Sequence, residues 1–475
     1  EVWNPGDIWI LNDSYIGGTH LHDMTVYGPV FSGDELVGFA TCRAHWLDVG
    51  GKNVGSPTDS TEIFQEGLRV GGLKVVDGGH TRLDVVDLLC RNSRFSYPAR
   101  GDLFAQLACV TTGQQRLEAI VDKFGLDVIR AARDEIYRQT EQFERQVVAE
   151  IPDGIYEAEG CIDNDGVDDD PKWVRLKVEV SGEDMTIDLS GSDDTARGPV
   201  NCGASQAVSV ARVAFKLLIN PDKPVDGGAF RPLHVIVREG SMLAATEPAP
   251  VEWYFTPLGL LIDLVVKALA PVMPEKAACA SYGDSMVIGI SGTDPRNGHP
   301  FLLYEPTVGG WGAWAGGDGQ DGLINNVNGS LKDMAIEVLE TKYPIHMLRY
   351  TFRTDSGGPG AWRGGTGVVR EYVVESDDAS LTLWFERSET PAWGLLGGRD
   401  ATPPEVIVNA SRPDERSMLK ITASPLRRGD VIITRTGGGG GYGDPKERRH
   451  DLVARDLRDG FISEEAAHTI YGYED

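Results

Sequence analysis

Two short segments near the start of the chain set a histidine three residues ahead of an aspartate. One is Gly17-Gly18-Thr19-His20-Leu21-His22-Asp23, and the other is Arg43-Ala44-His45-Trp46-Leu47-Asp48. Imidazole and carboxylate donors together suit Zn, Mn or Fe(II). A mixed nitrogen and oxygen set without thiolate leaves positions open for water or substrate, which is the pattern of a catalytic ion. His20, Asp23, His45 and Asp48 are therefore the candidate ligands. The same residues also read as polar residues of glycine turns, and spacing alone leaves both readings open. In an extended segment His22 points to the face opposite Asp23, which assigns it to the surroundings of the ion or to the surface. Asp13, in Asn12-Asp13-Ser14-Tyr15, either bonds its own backbone in a turn or orients a ligand histidine.

Strands and turns must hold these groups. Asp7 to Leu11, Thr25 to Tyr27 and Leu36 to Ala40 read as strands, with Ser32-Gly33-Asp34-Glu35 as a hairpin turn. Both His-x-x-Asp segments lie at the ends of strand-like runs of one sheet. Apolar residues then recur at helical spacing from Leu103 to Val147, and residues 127–150 read as one long amphipathic helix ending before Pro152. Strand alternation returns at Val174 to Val180 and Met185 to Leu189. Two apolar helices are expected over 205–218 and 256–270. Strands follow over 285–304, 346–353, 366–388 and 404–435, with short helices in the charged tail. Glycine is 58 of 475 residues, in clusters between apolar runs, which indicates tight turns joining strands.

The expected fold class is multi-domain α+β, strand-rich, with the long helix near 127–150. The expected divisions are 1–100, a strand-rich metal-site domain, 101–150, a helical segment, and 151–245, an α+β domain. A glycine-rich α+β core region over 246–345 and a strand-rich C-terminal region over 346–475 complete the chain.

Composition and motif searches exclude several function classes. Lys and Arg number 45 against 72 Asp and Glu, a net charge of −27 that disfavours a nucleic-acid partner. No apolar run reaches about 18 residues, so no membrane span is expected. The six cysteines form no CxxC pair and read as free thiols of a reducing, cytoplasmic compartment. No Walker-type phosphate loop, HExxH or GxSxG is present. A G-x-G-x-x-G match at Gly438, Gly440 and Gly443 is followed by Asp444-Pro445 rather than by a helix, and reads as a structural turn or a lid. The acidic stretch Asp163 to Asp170 lacks calcium-loop spacing and reads as a solvated loop. Arg363, Arg370, Glu386 and Arg387 are candidates for positioning a substrate or for structural ion pairs. Trp311 and Trp314 are candidates for lining an apolar pocket or for packing on a sheet.

The stretch from Asn12 to Asp23 resembles the N-D-P-Y-x-G-G-T-H-L-P-D signature of the hydantoinase B/oxoprolinase family, and Arg43 to Gly51 its R-A-H-x-x-D-I-G-G signature. Further blocks follow in the family's order: Ser60 to Gly67, Arg91-Asn92, Gly101 to Leu103, Gly198 to Asn201 and Glu247 to Pro250. Asp318 to Gln320, Glu337 to Glu340, Asp355 to Gly358, Arg363 to Gly365 and Gly437 to Pro445 complete the set. Ser14 and His22 stand where the family has prolines. The family also begins upstream of Glu1, and that segment is expected to supply a further carboxylate ligand.

The resemblance implies one subunit of an ATP-dependent enzyme. Its hydantoinase A-type partner, with an actin-like ATPase fold, binds ATP with Mg and phosphorylates the substrate, so no ATP site is expected in this chain. The implied cofactor is Mn or Zn, on His20, Asp23 and His45, with Asp48 either a ligand or a group that orients His45. The leading function is opening of a cyclic amide such as 5-oxoproline, a hydantoin or a lactam. The runner-up is ATP-dependent carboxylation of a ketone such as acetone or acetophenone, and a third reading is a non-catalytic scaffold. A hetero-oligomer acting on a small molecule is implied in the first two cases.

Overall fold

In the computed structural model, residues 3–329 and 331–474 are described. The first sheet contains β1 (Ile8–Leu11), β2 (Asp23–Ser32), β3 (Glu35–His45), β4 (Leu73–Asp77) and β5 (His80–Thr81), in the order β3-β2-β1-β4-β5. The β2–β3 hairpin turns at Gly33 and Asp34, as the turn residues predict, with Ser32 opposite Glu35. Alternation along β1 and β2 places Ile8, Ile10, Met24 and Val26 on one buried face. Helices α1 (Leu83–Arg91) and α2 (Ser96–Phe124) cover that face with Val86, Leu89, Leu103 and Val110. Helix α3 (Leu126–Val148) matches the long helix expected over 127–150, and Gly125 separates it from α2.

A second sheet, β6 (Gly154–Ile162), β7 (Lys172–Ser181), β8 (Asp184–Asp188) and β9 (Leu233–Ile236), pairs in that order, the last pair parallel. Its apolar face meets α4 (Ala204–Leu218) and α5 (Phe255–Leu269), the two apolar helices. Almost every residue of α5 is buried, because it packs on β6 and β7 and against α4. Within the acidic loop, Asp165 is buried and accepts hydrogen bonds from the backbone of Val167, Asp168 and Gly198.

The remaining strands interleave. β10 (Val287–Thr293) and β11 (Pro300–Pro306) precede α6 (Ile336–Lys342), β12 (Ile345–Phe352), β13 (Val368–Val374) and β14 (Ser380–Trp384). β15 (Glu405–Val408), β16 (Arg416–Ser417), β17 (Lys420–Pro425) and β18 (Val431–Arg435) follow. They form one sheet in the order β11-β10-β14-β17 and another in the order β12-β13-β18-β15-β16. Ile288, Ile290, Leu381, Leu383, Tyr372 and Ile432 fill the core shared by the two. Helices α7 (His450–Arg458) and α8 (Glu464–Thr469) close the chain. Among the described residues no helix is long and apolar enough to cross a membrane.

Candidate metal centre

The site starts from one asparagine. Asn12, immediately after β1, is fully buried and accepts a hydrogen bond from the backbone of Val70 at 2.7 Å. Its amide donates to the carbonyls of Leu68 at 2.9 Å and Leu21 at 2.7 Å. The residue so held, Leu21, lies between His20 and His22 and sends its side chain into the core. Gly18 lets the loop return over Asn12, because a Cβ there would sit 2.3 Å from the Asn12 carbonyl oxygen. The loop enters β2 through a turn in which Asp23 donates its N–H to the His20 carbonyl and Met24 to the His22 carbonyl. His22 is therefore not in an extended segment, and alternation does not send it to the opposite face. Its ring lies beside those of His20 and His45. His45 ends β3 directly opposite Asp23 in the β2–β3 register, which puts the two side chains on one face.

The three ring centroids are 5.0 to 5.3 Å apart. One nitrogen from each ring lies within 4.8 Å of the others. Two carboxylates flank the rings. Asp23 Oδ2 is 3.5 Å from His20 Nε2 and accepts hydrogen bonds from Thr19 Oγ1 at 2.6 Å and the Tyr254 hydroxyl at 3.2 Å. Glu252 Oε1 is 3.2 Å from His20 Nδ1 and 3.1 Å from His22 Nδ1. Glu252 precedes α5 and is held by Glu66, whose carboxylate accepts the backbone N–H groups of Val251 and Glu252 at 3.0 Å and the Ser60 hydroxyl at 2.8 Å.

The charges follow from this packing. Burial lowers the pKa of His20, but Asp23 and Glu252 outweigh it and raise it to about 10. Burial raises the pKa of each of those carboxylates, yet the histidines hold Asp23 and Glu252 well below the usual carboxylate range. His45, the exposed member of the three, is pushed below its ordinary value by partial desolvation and then by the neighbouring His20 and His22. Burial and the charge of Glu252 push Glu66 up to about 8.

The donor set fits a divalent cation. His22 Nε2 has no hydrogen-bond partner, nor has Glu252 Oε2, and both are buried. Such groups are costly to bury unless something meets them. A dication beside three neutral imidazoles and two carboxylates would meet them and balance the charge.

His20, Asp23 and His45 of the cluster line a cavity of about 300 Å³. Phe255, Val287, Pro306 and Leu331 give it an apolar wall, and Tyr254, Ser285, Tyr304 and Asn328 supply hydroxyl and amide groups. This combination of apolar walls and few polar groups is that of a small-molecule pocket.

Several residues singled out by sequence lie elsewhere. Asp48 is buried but committed to Arg94, whose guanidinium and backbone N–H bond its two oxygens at 2.7 and 2.8 Å. Asp13 accepts from the Tyr15 backbone in a turn and pairs with Arg69 at 2.6 Å, so it orients no histidine. Arg363 joins Asp321 and Asp456 beneath the C-terminal helices. Arg387 pairs with Asp263 at 2.7 Å and lies on the Trp393 ring. Trp311 donates to the Ile324 carbonyl at 2.7 Å and packs on the shared core of the two C-terminal sheets. None of these three lines the cavity. Sequence reasoning missed Glu252, whose signal was a lone carboxylate in the apolar run Pro250-Val251-Glu252-Trp253-Tyr254.

The sequence profile of the hydantoinase B/oxoprolinase family matches residues 1–445. The putative B-type subunit of a D-/L-hydantoinase from Pseudomonas sp. (strain NS671) is 32% identical over 488 residues, covering 99% of this chain and 81% of that protein. The crystal structure of the ATP-dependent caprolactamase from Pseudomonas jessenii aligns with a TM-score of 0.92 at 28% identity, over 100% of this chain and 84% of that one. The nucleotide-free structure of acetone carboxylase has the same fold, with a TM-score of 0.89 at 19% identity, over 99% of this chain and 69% of that one.

Proposed function

The chain belongs to the hydantoinase B/oxoprolinase family, and from that premise we propose that it is the metal-bearing B-type subunit of an ATP-dependent cyclic-amide hydrolase. An A-type subunit supplies the ATP site and phosphorylates the substrate. The observation that carries this reading is the group of three histidines and two carboxylates, of which His20, Asp23 and His45 line a partly apolar cavity. The similarity to a hydantoinase B-type subunit and to an ATP-dependent caprolactamase supports it.

His20, His22 and His45 would hold Mn or Zn, with Asp23 as the adjacent oxygen donor and Glu252 orienting His20 and His22 through their Nδ1 atoms. An ion so held would supply Lewis acidity to the cavity. Phe255, Val287 and Leu331 contact the hydrocarbon part of a small ring and exclude bulk water from it. Thr19 and Tyr254 hold the Asp23 carboxylate in place through two donated hydrogen bonds.

The test uses the chain purified with its ATP-using partner. Metal content is measured by inductively coupled plasma mass spectrometry for wild type and His45→Ala. Opening of lactams, hydantoins and 5-oxoproline is assayed with ATP, with and without bicarbonate. Near-stoichiometric Mn or Zn that falls in the variant, with ring opening indifferent to bicarbonate, is the expected result. An active complex without metal overturns the metal assignment. Turnover confined to ketones with bicarbonate makes the chain part of a carboxylase, and a His45→Ala complex of unchanged activity makes it a scaffold.

A further inference from the structure

Ser285 stands in the cavity wall with His20, Asp23 and His45. It is held from several directions. Its carbonyl accepts the Thr307 N–H at 2.7 Å. The preceding Asp284 accepts the Met286 N–H at 2.7 Å and, on its other oxygen, the Thr256 hydroxyl at 2.7 Å. The following Met286 has φ 41°, a left-handed conformation that a methionine adopts only where its surroundings impose it. The chain thus holds Ser285 in one orientation by hydrogen bonds and by backbone strain.

The hydroxyl is polarised as a donor. Ser285 Oγ accepts from Asn325 Nδ2 at 3.0 Å and from Asn328 Nδ2 at 2.6 Å. The orientation of the Asn325 amide is set by its own oxygen, which accepts the N–H groups of Val327 at 3.1 Å and Asn328 at 2.9 Å. Its NH2 group must therefore face the serine. A serine hydroxyl has one proton and two acceptor lone pairs. With both lone pairs engaged, the proton is left to point into the cavity, and the two bonds received strengthen the one it can give.

We propose that Ser285 donates a hydrogen bond to the oxygen on the reacting carbon of the substrate, and that Asn325 and Asn328 are positioning residues that direct it. This inference rests on the reading of the cavity as the reaction site. When a nucleophile adds to that carbon of the O-phosphorylated amide, the C=N π pair moves onto nitrogen, and as phosphate then leaves the C–O bonding pair moves onto the oxygen. The Ser285 O–H meets the growing charge and keeps its proton throughout. A fixed donor of this kind acts on the transition state more than on the bound substrate.

The test compares wild type, Ser285→Ala, Ser285→Thr and Asn325→Asp, each in complex with the ATP-using partner. It measures kcat and KM for whichever ATP-dependent reaction the wild type performs, amide opening or ketone carboxylation, together with metal content. Asn325→Asp keeps the acceptor for Val327 and Asn328 but presents an acceptor to Ser285, which turns the hydroxyl away from the cavity. Ser285→Ala and Asn325→Asp are expected to lower kcat by about 10²-fold or more, with KM and metal content unchanged. Ser285→Thr, which keeps the hydroxyl, is expected to recover most of that loss. Wild-type kcat in both Ser285→Ala and Asn325→Asp overturns the proposal, as does loss of metal from Ser285→Ala. A wild-type complex inactive on amides and ketones alike overturns the function itself and this role with it. That outcome differs from the first, in which the wild type is active.

Discussion

Glu252→Gln tests the cluster with the smallest change of shape. One oxygen of Glu252 lies 3.2 Å from His20 Nδ1 and 3.1 Å from His22 Nδ1, in a fully buried position. A full charge about 4 Å away is worth about 4 kcal/mol at an effective dielectric of about 20. Neutral imidazoles bound to a cation carry only part of that charge on their distal N–H. Loss of such an outer partner typically weakens metal binding about 10- to 100-fold, or about 1.4 to 2.8 kcal/mol. Glutamine cannot recover the loss, because its carbonyl oxygen can meet the two rings but carries no charge, and its NH2 group faces a position without an acceptor. The assay is competition for Zn or Mn against a chromophoric chelator, on the complex with its partner. Thermal melting in excess chelator checks that the variant is folded. A folded Glu252→Gln variant that binds the ion as tightly as wild type, while His45→Ala does not, would refute the orienting role of Glu252.

Asn12→Ala leaves the Leu21 and Leu68 carbonyls and the Val70 N–H without their partner, at about 1–3 kcal/mol for each group that water does not reach. A lower melting temperature and weaker metal binding together are expected, and a drop in only one of them would show that Asn12 does not couple the core to the loop. Burial, opposed by Lys420 and reinforced by Asp163 and Asp284, pushes Glu386 up to about 8 from its ordinary 4.5. Between those two values the folded state binds the extra proton, so the contribution of Glu386 to stability falls as pH rises, by at most about 1.4 kcal/mol per pH unit. Denaturant titrations from pH 5 to 9 are expected to show a shallower decline in Glu386→Gln than in wild type, and equal slopes would contradict the shift.

Local pattern carried the long helices and half of the candidate site. Residues 127–150 were readable as helix because periodicity is a property of neighbours, and α3 spans Leu126–Val148. His20, Asp23 and His45 were readable because a hairpin register brings the ends of two adjacent strands together. Most of the errors share one physical origin, which is that the partner of a polar group lies far along the chain. Asp48 and Asp13 look like free carboxylates until Arg94 and Arg69 are in place. Glu252 is 232 residues from His20, and no spacing rule reaches that far. The assignment of His22 failed for a local reason: a period of two was applied to a turn that Asn12 imposes from outside the segment. The interleaved order β11-β10-β14-β17 was equally out of reach, because β14 pairs with β10 and β17 with β14 across intervening strands of another sheet.

The glycine clusters connect the two halves of the site. The segment leading to Ser285 is bound in part backbone to backbone: Ala280 accepts the Gly440 N–H at 2.9 Å, and Tyr282 donates to Gly310 at 2.9 Å. Gly310 in turn donates to Gly437 at 3.1 Å, and Ala313 donates to Gly440 at 2.9 Å. Three segments from distant parts of the chain therefore lie at backbone distance, which side chains would prevent. At Gly440 a Cβ would sit 2.0 Å from the Trp393 carbonyl oxygen. The G-x-G-x-x-G run is thus packed structure rather than a phosphate loop or a mobile lid, and it braces the segment that carries Ser285 into the cavity wall. The histidines are fixed by Asn12 and Glu66 on one side, and Ser285 by this backbone packing on the other. A ligand between them meets groups whose separation is set by the core of the protein. That is the condition under which a cation and a hydrogen-bond donor act together on one reacting carbon, because neither has to move as charge develops.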